Sequence, residues 1–177
     1  MNMGLSMPSG HVAPAMLARR GQVSLGIAAS TQEGPDISLP YLACMLATAN
    51  YYHLPPRVLP SIQAVEGGYP GAVHVNTDGS TDLGVMQINT RWVAPLADYV
   101  TRVAGTPTTV QQTRARLLLD PCFNIAAAGL IVRYEWTQSG HDWPAAVGNY
   151  HSHTADLHRA YLARVMAKAR ILFERGG

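Results

Sequence analysis

Lysine is almost missing from this 177-residue chain: Lys168 is the only one, and the other basic residues are scattered arginines. With 13 basic and 11 acidic side chains, a formal net charge of +2 and no basic run, nothing marks a nucleic-acid groove. Mild positive charge suits an acidic polymer without selecting one. Long apolar runs are also lacking. The longest, at 41–49 and 125–132, fall far short of the ~20 residues that a membrane span requires and read as core helices. No internal repeat, low-complexity tract, phosphate-cradling glycine loop or nucleophilic triad is present.

Two further scarcities shape the reading. There are two cysteines, Cys44 and Cys122, each in or at the start of an apolar helical stretch. In an oxidising compartment a bridge between them would close a long loop and contribute roughly 4 kcal/mol in the chain-entropy account. From the residues alone, two buried free thiols serve as well. Glutamate occurs four times, and only Glu66 stands between an apolar helical stretch and a double glycine, Gly67-Gly68.

What is there is 47% apolar and 14% charged, enough for one sizeable core and too short for two full domains. Residues 1–39 carry three early methionines, Arg19-Arg20, a weak apolar stretch at 23–29 and a polar turn at 31–36. They read either as a degenerate export signal or as a disordered N-terminal extension. The folded domain is expected over 40–175.

Within it, periodicity predicts a helix over 40–52, carrying Cys44 inward, and a second one from Pro55-Pro56 to Glu66. Pro60 predicts a bend or a late start there. Residues 73–75 and 83–88 flank the turn 76–80, whose Asp78-Gly79 pair predicts a small β-hairpin, the only sheet. Helices follow over 90–103, 108–119, 120–138, 142–150 and 155–174, two of them opened by Asp120 before Pro121 and by Asp142 before Pro144. The fold class is α+β, mainly α, with one hairpin beside the Glu66 helix. Glu66 ends its helix, where the negative pole of the dipole disfavours a carboxylate and helps keep the acid protonated.

Three blocks in order could carry chemistry: Ser61-Ile-Gln-Ala-Val-Glu66-Gly-Gly, Asp82-Leu-Gly-Val-Met-Gln-Ile-Asn89, and Ala146-Val-Gly-Asn-Tyr-His-Ser152. Together they resemble the lytic transglycosylases of the soluble, goose-lysozyme-like (SLT) type, over residues 42–172. Asp120-Pro-Cys-Phe-Asn-Ile125, the Tyr150-His-Ser ending and the cysteines flanking the Glu66 helix resemble most the small members that accompany secretion, pilus and conjugation machines.

The resemblance implies a lysozyme-like fold and a periplasmic enzyme that cuts peptidoglycan glycan strands between N-acetylmuramic acid and N-acetylglucosamine. It implies no metal or organic cofactor, and components of a trans-envelope machine as partners. It also implies a Cys44–Cys122 disulfide, Glu66 as the single acid and base, and Gln87, Met86, Ile88, Asn149 and Tyr150 as substrate contacts. Met86 would floor a sugar subsite, and the Tyr150 hydroxyl would lie near Glu66. One carboxylate suffices where the sugar's acetamido group stabilises the anomeric centre. Such an acid needs a raised pKa, and Val65, Met86 and Ile88 are the apolar neighbours expected to supply it.

The chain departs from the family at Gly67, where serine is common, and at His151, where asparagine is common. Three competing readings remain. Asp78 or Asp82 as a second carboxylate would make a water-using lysozyme, although turn aspartates usually cap their own backbone. A non-catalytic wall-binding component would not need Glu66, Gln87 and Tyr150 together. His151, His153 and His158 suggest zinc, but no further ligand set completes a site.

Overall fold

The computed structural model describes residues 39–174; the expected N-terminal extension or signal, 1–39, lies outside the described residues except for its last position. Helix α1 (Leu42–Tyr52) buries Met45, Thr48, Ala49 and Tyr52, a single helical face. It stops at His53, which adopts a left-handed conformation. Helix α2 (Val58–Glu66) begins late, so that Pro60 is its third residue and no intrahelical bond is lost to the missing N–H. Gly67, left-handed at φ 62°, ends it and leaves Glu66 as the last helical residue.

Strands β1 (Val73–Val75) and β2 (Thr81–Leu83) form the expected hairpin, pairing Val73 with Leu83 and Val75 with Thr81. The second arm is shorter than expected. The chain turns over at 84–87 and returns as β3 (Ile88–Asn89), which pairs with β2, so the antiparallel sheet has three strands rather than two.

The cause of that reversal is a buried polar anchor. Asn124 is almost fully buried; its Nδ2 donates to the carbonyls of Leu83 and Leu117, and its Oδ1 accepts from the Met86 N–H. Gly84, at φ 70°, is forced by the same contact, since a Cβ there would lie 2.2 Å from the Leu117 carbonyl and 2.6 Å from Asn124 Nδ2.

A short 3-10 turn (Thr90–Trp92) leads into α3 (Val93–Ala104), and α4 (Val110–Leu119) opens with a capping box between Thr109 and Gln112. Helix α5 (Pro121–Gln138) buries every residue from Phe123 to Val132, as expected of a helix that is apolar all round. Helices α1, α2 and α4 pack against it. Asp120 and Asp142 cap α5 and α6 (Trp143–His151), accepting from the amides of Phe123 and Ala145. The last helix, α7 (Ala155–Phe173), lies against α2 and α6.

Cys44 on α1 and Cys122 on α5 are joined by a disulfide with their Cα atoms 5.4 Å apart and 78 positions between them in sequence. Among the described residues no single helix is long and apolar enough to cross a membrane.

Candidate active site

A groove of about 560 Å³ runs between the sheet and the facing ends of α2, α6 and α7. Glu66 reaches its wall from the end of α2, Asp82 and Ile88 reach it from the sheet, and Gln87 reaches it from the 84–87 turn. Tyr150, His151 and Arg164 close the far side. The double glycine explains how α2 and the sheet come so close. A Cβ on Gly68 would lie 2.2 Å from the Gly84 carbonyl oxygen and 2.9 Å from that of Val85, so the backbone after Glu66 rests directly on the 84–87 turn.

Burial is the largest influence on Glu66 and pushes its pKa up to about 7, with the nearby Asp82 charge adding to the rise. Two groups oppose it: a hydrogen bond from Tyr161 and the positive charge of Arg164. The Tyr161 hydroxyl donates to Glu66 Oε1 at 2.5 Å. Burial raises the tyrosine's own pKa far above the usual phenol range, as does the Glu66 charge, so it remains a neutral donor. A carboxyl whose Oε1 accepts from a permanent donor keeps Oε2 free to carry its proton.

The residues expected at the site separate into two groups. Glu66, Gln87, Ile88 and Tyr150 line the groove together. Gln87 holds a left-handed backbone at φ 48°, and its Nε2 donates to the Gly84 carbonyl. Met86, expected to floor a sugar subsite, is instead fully buried behind the groove wall, where its carbonyl accepts from the Tyr150 hydroxyl at 2.8 Å. Tyr150 therefore braces the 84–87 turn, and the hydroxyl on Glu66 belongs to Tyr161. Asn149, expected to touch substrate, stands off the groove with its Oδ1 2.9 Å from His158 Nδ1.

Tyr161 is the residue that sequence reasoning missed. A tyrosine in an amphipathic helix reads as core, and 95 positions separate it from Glu66. The two departures from the family also acquire structural reasons. The backbone at Gly67 is left-handed, which a serine would adopt only with strain although space is open around it. His151 stacks on Tyr161 with ring centroids 4.8 Å apart and planes 8° apart, and burial lowers its pKa, which keeps the ring neutral at pH 7.

The remaining candidates have structural partners. Asp78 accepts from the Ser80 amide and hydroxyl, as a turn aspartate does. His153 faces Glu135, and His158 faces Asn149; among the described residues no group of three such ligands could hold a metal.

Residues 43–172 match the family described as the Transglycosylase SLT domain. The chain belongs to the SLT-domain family. It is 28% identical over 142 residues to invasion protein IagB of Salmonella typhimurium, covering 77% of this chain and 81% of that one. It is 29% identical over 144 residues to IagB of Salmonella typhi, covering 78% and 82%, and 27% identical over 148 residues to protein IpgF of Shigella sonnei, covering 75% and 89%. An SLT domain of this kind gives the chain a lytic-transglycosylase-like character directed at peptidoglycan. The mainly helical architecture with its small sheet is that of the SLT, lysozyme-like fold.

Proposed function

We propose that this SLT domain is a lytic transglycosylase that cleaves peptidoglycan between N-acetylmuramic acid and N-acetylglucosamine and leaves a 1,6-anhydro muramyl end. One observation carries the reading: an open groove holds a largely buried carboxyl with a neutral hydroxyl bonded to one of its oxygens, and burial pushes the pKa of that carboxyl up to about 7. An acid with a pKa near working pH can both give and take a proton in one cycle.

In the first half, Glu66 protonates the glycosidic oxygen, and the bond from that oxygen to the muramyl anomeric carbon breaks with its electron pair leaving on oxygen. The sugar's acetamido group stabilises the positive charge left behind. In the second half, the Glu66 carboxylate removes the proton from the C6 hydroxyl, whose oxygen bonds to the anomeric carbon. Glu66 ends protonated and no water is consumed. Tyr161 donates throughout, supporting the carboxylate form between the two halves.

The position of Asp82 in the same groove favours a second reading, a muramidase in which water attacks the anomeric carbon. Asp82 Oδ1 already accepts from Asn89 Nδ2 at 2.8 Å, which ties that carboxylate to the sheet. Likeness to a protein named for invasion supports local wall opening for a secretion or conjugation apparatus. The disulfide supports an exported, periplasmic location.

The deciding experiment is mass spectrometry of muropeptides released from purified sacculi by the protein and by Glu66→Gln. Predominantly 1,6-anhydro products that vanish in the variant are expected. Reducing-end products would instead indicate the muramidase, and no products at all would indicate a wall-binding component.

A further inference from the structure

Two arginines line the groove, and their charges are compensated differently. Arg91 acts on Asp78, whose carboxyl is held below its ordinary range mainly by its bonds to Ser80 and in part by that arginine. Arg164, exposed on α7, forms no ion pair among the described residues. Its guanidinium lies 5.4 Å from the centre of the Tyr161 ring, the ring whose hydroxyl meets Glu66. The neighbouring His151 is kept neutral by burial and by the Arg164 charge itself, so the positive charge at this end of the groove belongs to Arg164.

This charge opposes the proton on Glu66 that the chemistry requires. An uncompensated guanidinium one helical turn from the residue that holds the acid has its use in something that arrives with the substrate. The planar fork matches a carboxylate in bidentate fashion. The muramyl ring that presents its anomeric carbon to Glu66 also carries the lactyl arm, so a group recognising that arm belongs within one sugar's breadth of the acid.

Building on the transglycosylase reading, we propose that Arg164 binds a carboxylate on the muramyl lactyl arm and so selects anionic muramyl strands over uncharged ones. That carboxylate is the lactyl group's own in peptide-free strands, or one on the attached stem peptide. Once it is seated, the opposition of Arg164 to the Glu66 proton is neutralised, which couples recognition to protonation.

The test compares wild type, Arg164→Ala and Arg164→Lys on three substrates. These are peptide-bearing glycan strands, strands stripped of peptide by an amidase, and peptide-bearing strands whose carboxylates are capped as amides with carbodiimide and ammonia. Arg164→Ala is expected to lower kcat/KM about tenfold on uncapped strands and little on capped ones, with Arg164→Lys recovering part of the loss. A loss confined to peptide-bearing strands assigns the stem peptide, and a loss on stripped strands assigns the lactyl carboxylate.

Equal losses on capped and uncapped strands, or none on any, overturn the proposal. Co-sedimentation of Glu66→Gln, with and without Arg164→Ala, with insoluble sacculi, uncapped and capped, should follow the same pattern without turnover. Charge-selective retention in the absence of anhydro products would therefore sink the transglycosylase reading alone. Retention indifferent to Arg164, beside normal anhydro products, would sink this one alone.

Discussion

Glu66 and Glu135 are both glutamates drawn out of water by the same core, and burial raises the pKa of each, yet their surroundings differ in kind. Glu66 meets a neutral hydroxyl and stands on an open groove. Glu135, near the end of α5 and 2% exposed, meets His153 at 3.2 Å, with Arg91 and Asn149 further favouring its charged form. The Glu66 carboxyl faces an open groove, where its proton is accessible for transfer, whereas Glu135 is enclosed among an imidazole, an amide and the Arg91 charge, which offset part of its burial. Desolvation alone therefore does not make a catalytic acid; access to the groove separates the two.

The sharpest way to break this contrast is Glu66→Gln, which keeps the shape and removes the proton. Turnover is expected to fall on the order of 10²- to 10⁴-fold, read as muropeptide release. Glu135→Gln should leave the chemical step near wild type, and an equal collapse there would end the distinction.

The second prediction concerns stability. The Glu66 pKa is raised in the fold from 4.5 to about 7, so the folded state holds this proton more tightly than the unfolded chain does. Its contribution is fully present below pH 4.5 and is lost as pH rises through 7, a change of about 3 kcal/mol. Urea melts of wild type and Glu66→Gln should diverge by about that amount between pH 4 and pH 8, with the variant gaining on the alkaline side. Parallel curves would mean that Glu66 titrates normally.

Tyr161→Phe sharpens the comparison from the partner's side. Removing a hydrogen bond that lowers the Glu66 pKa moves the alkaline limb of the kcat/KM profile to higher pH, while the maximum falls about tenfold to a hundredfold. A limb that moves to lower pH would contradict the assigned role. The smallest effect is expected from His153→Ala. With the histidine 63% exposed, solvent screening limits the destabilisation to about 1 kcal/mol at pH 6 by urea melt. A loss of about 3 kcal/mol or more would show that Glu135 depends on His153 alone.

Much of this was legible before the fold was known, for local reasons. Glu66 stands out because an apolar helix ends there at two glycines, and the Asp-Pro helix starts announce themselves by their caps. The failures are tertiary. Leu83, Val85, Met86 and Ile88 read as one strand because all are apolar, but Asn124, some 40 positions away, holds the chain in a turn. Met86 is expected on the substrate side but lies behind the groove wall, where its carbonyl accepts from the hydroxyl of Tyr150, which does line the groove. Nothing local distinguishes Tyr161 from an ordinary core tyrosine, since its role exists only when α7 meets α2.

The disulfide gives the molecule a topology of ring and tail. The covalent ring from Cys44 to Cys122 contains Glu66, Asp82 and Gln87, whereas Tyr150, His151, Tyr161 and Arg164 all belong to the tail that follows it. The proton donor is thus held in a closed circuit of chain together with Asp82, which raises its pKa, whereas the two groups that lower it, Tyr161 and Arg164, arrive from outside that circuit. The two halves of the catalytic apparatus are joined covalently only at the start of α5 and otherwise by packing. A break in the α6–α7 tail would leave the acid and Asp82 in place but remove the hydroxyl and the guanidinium that favour the carboxylate.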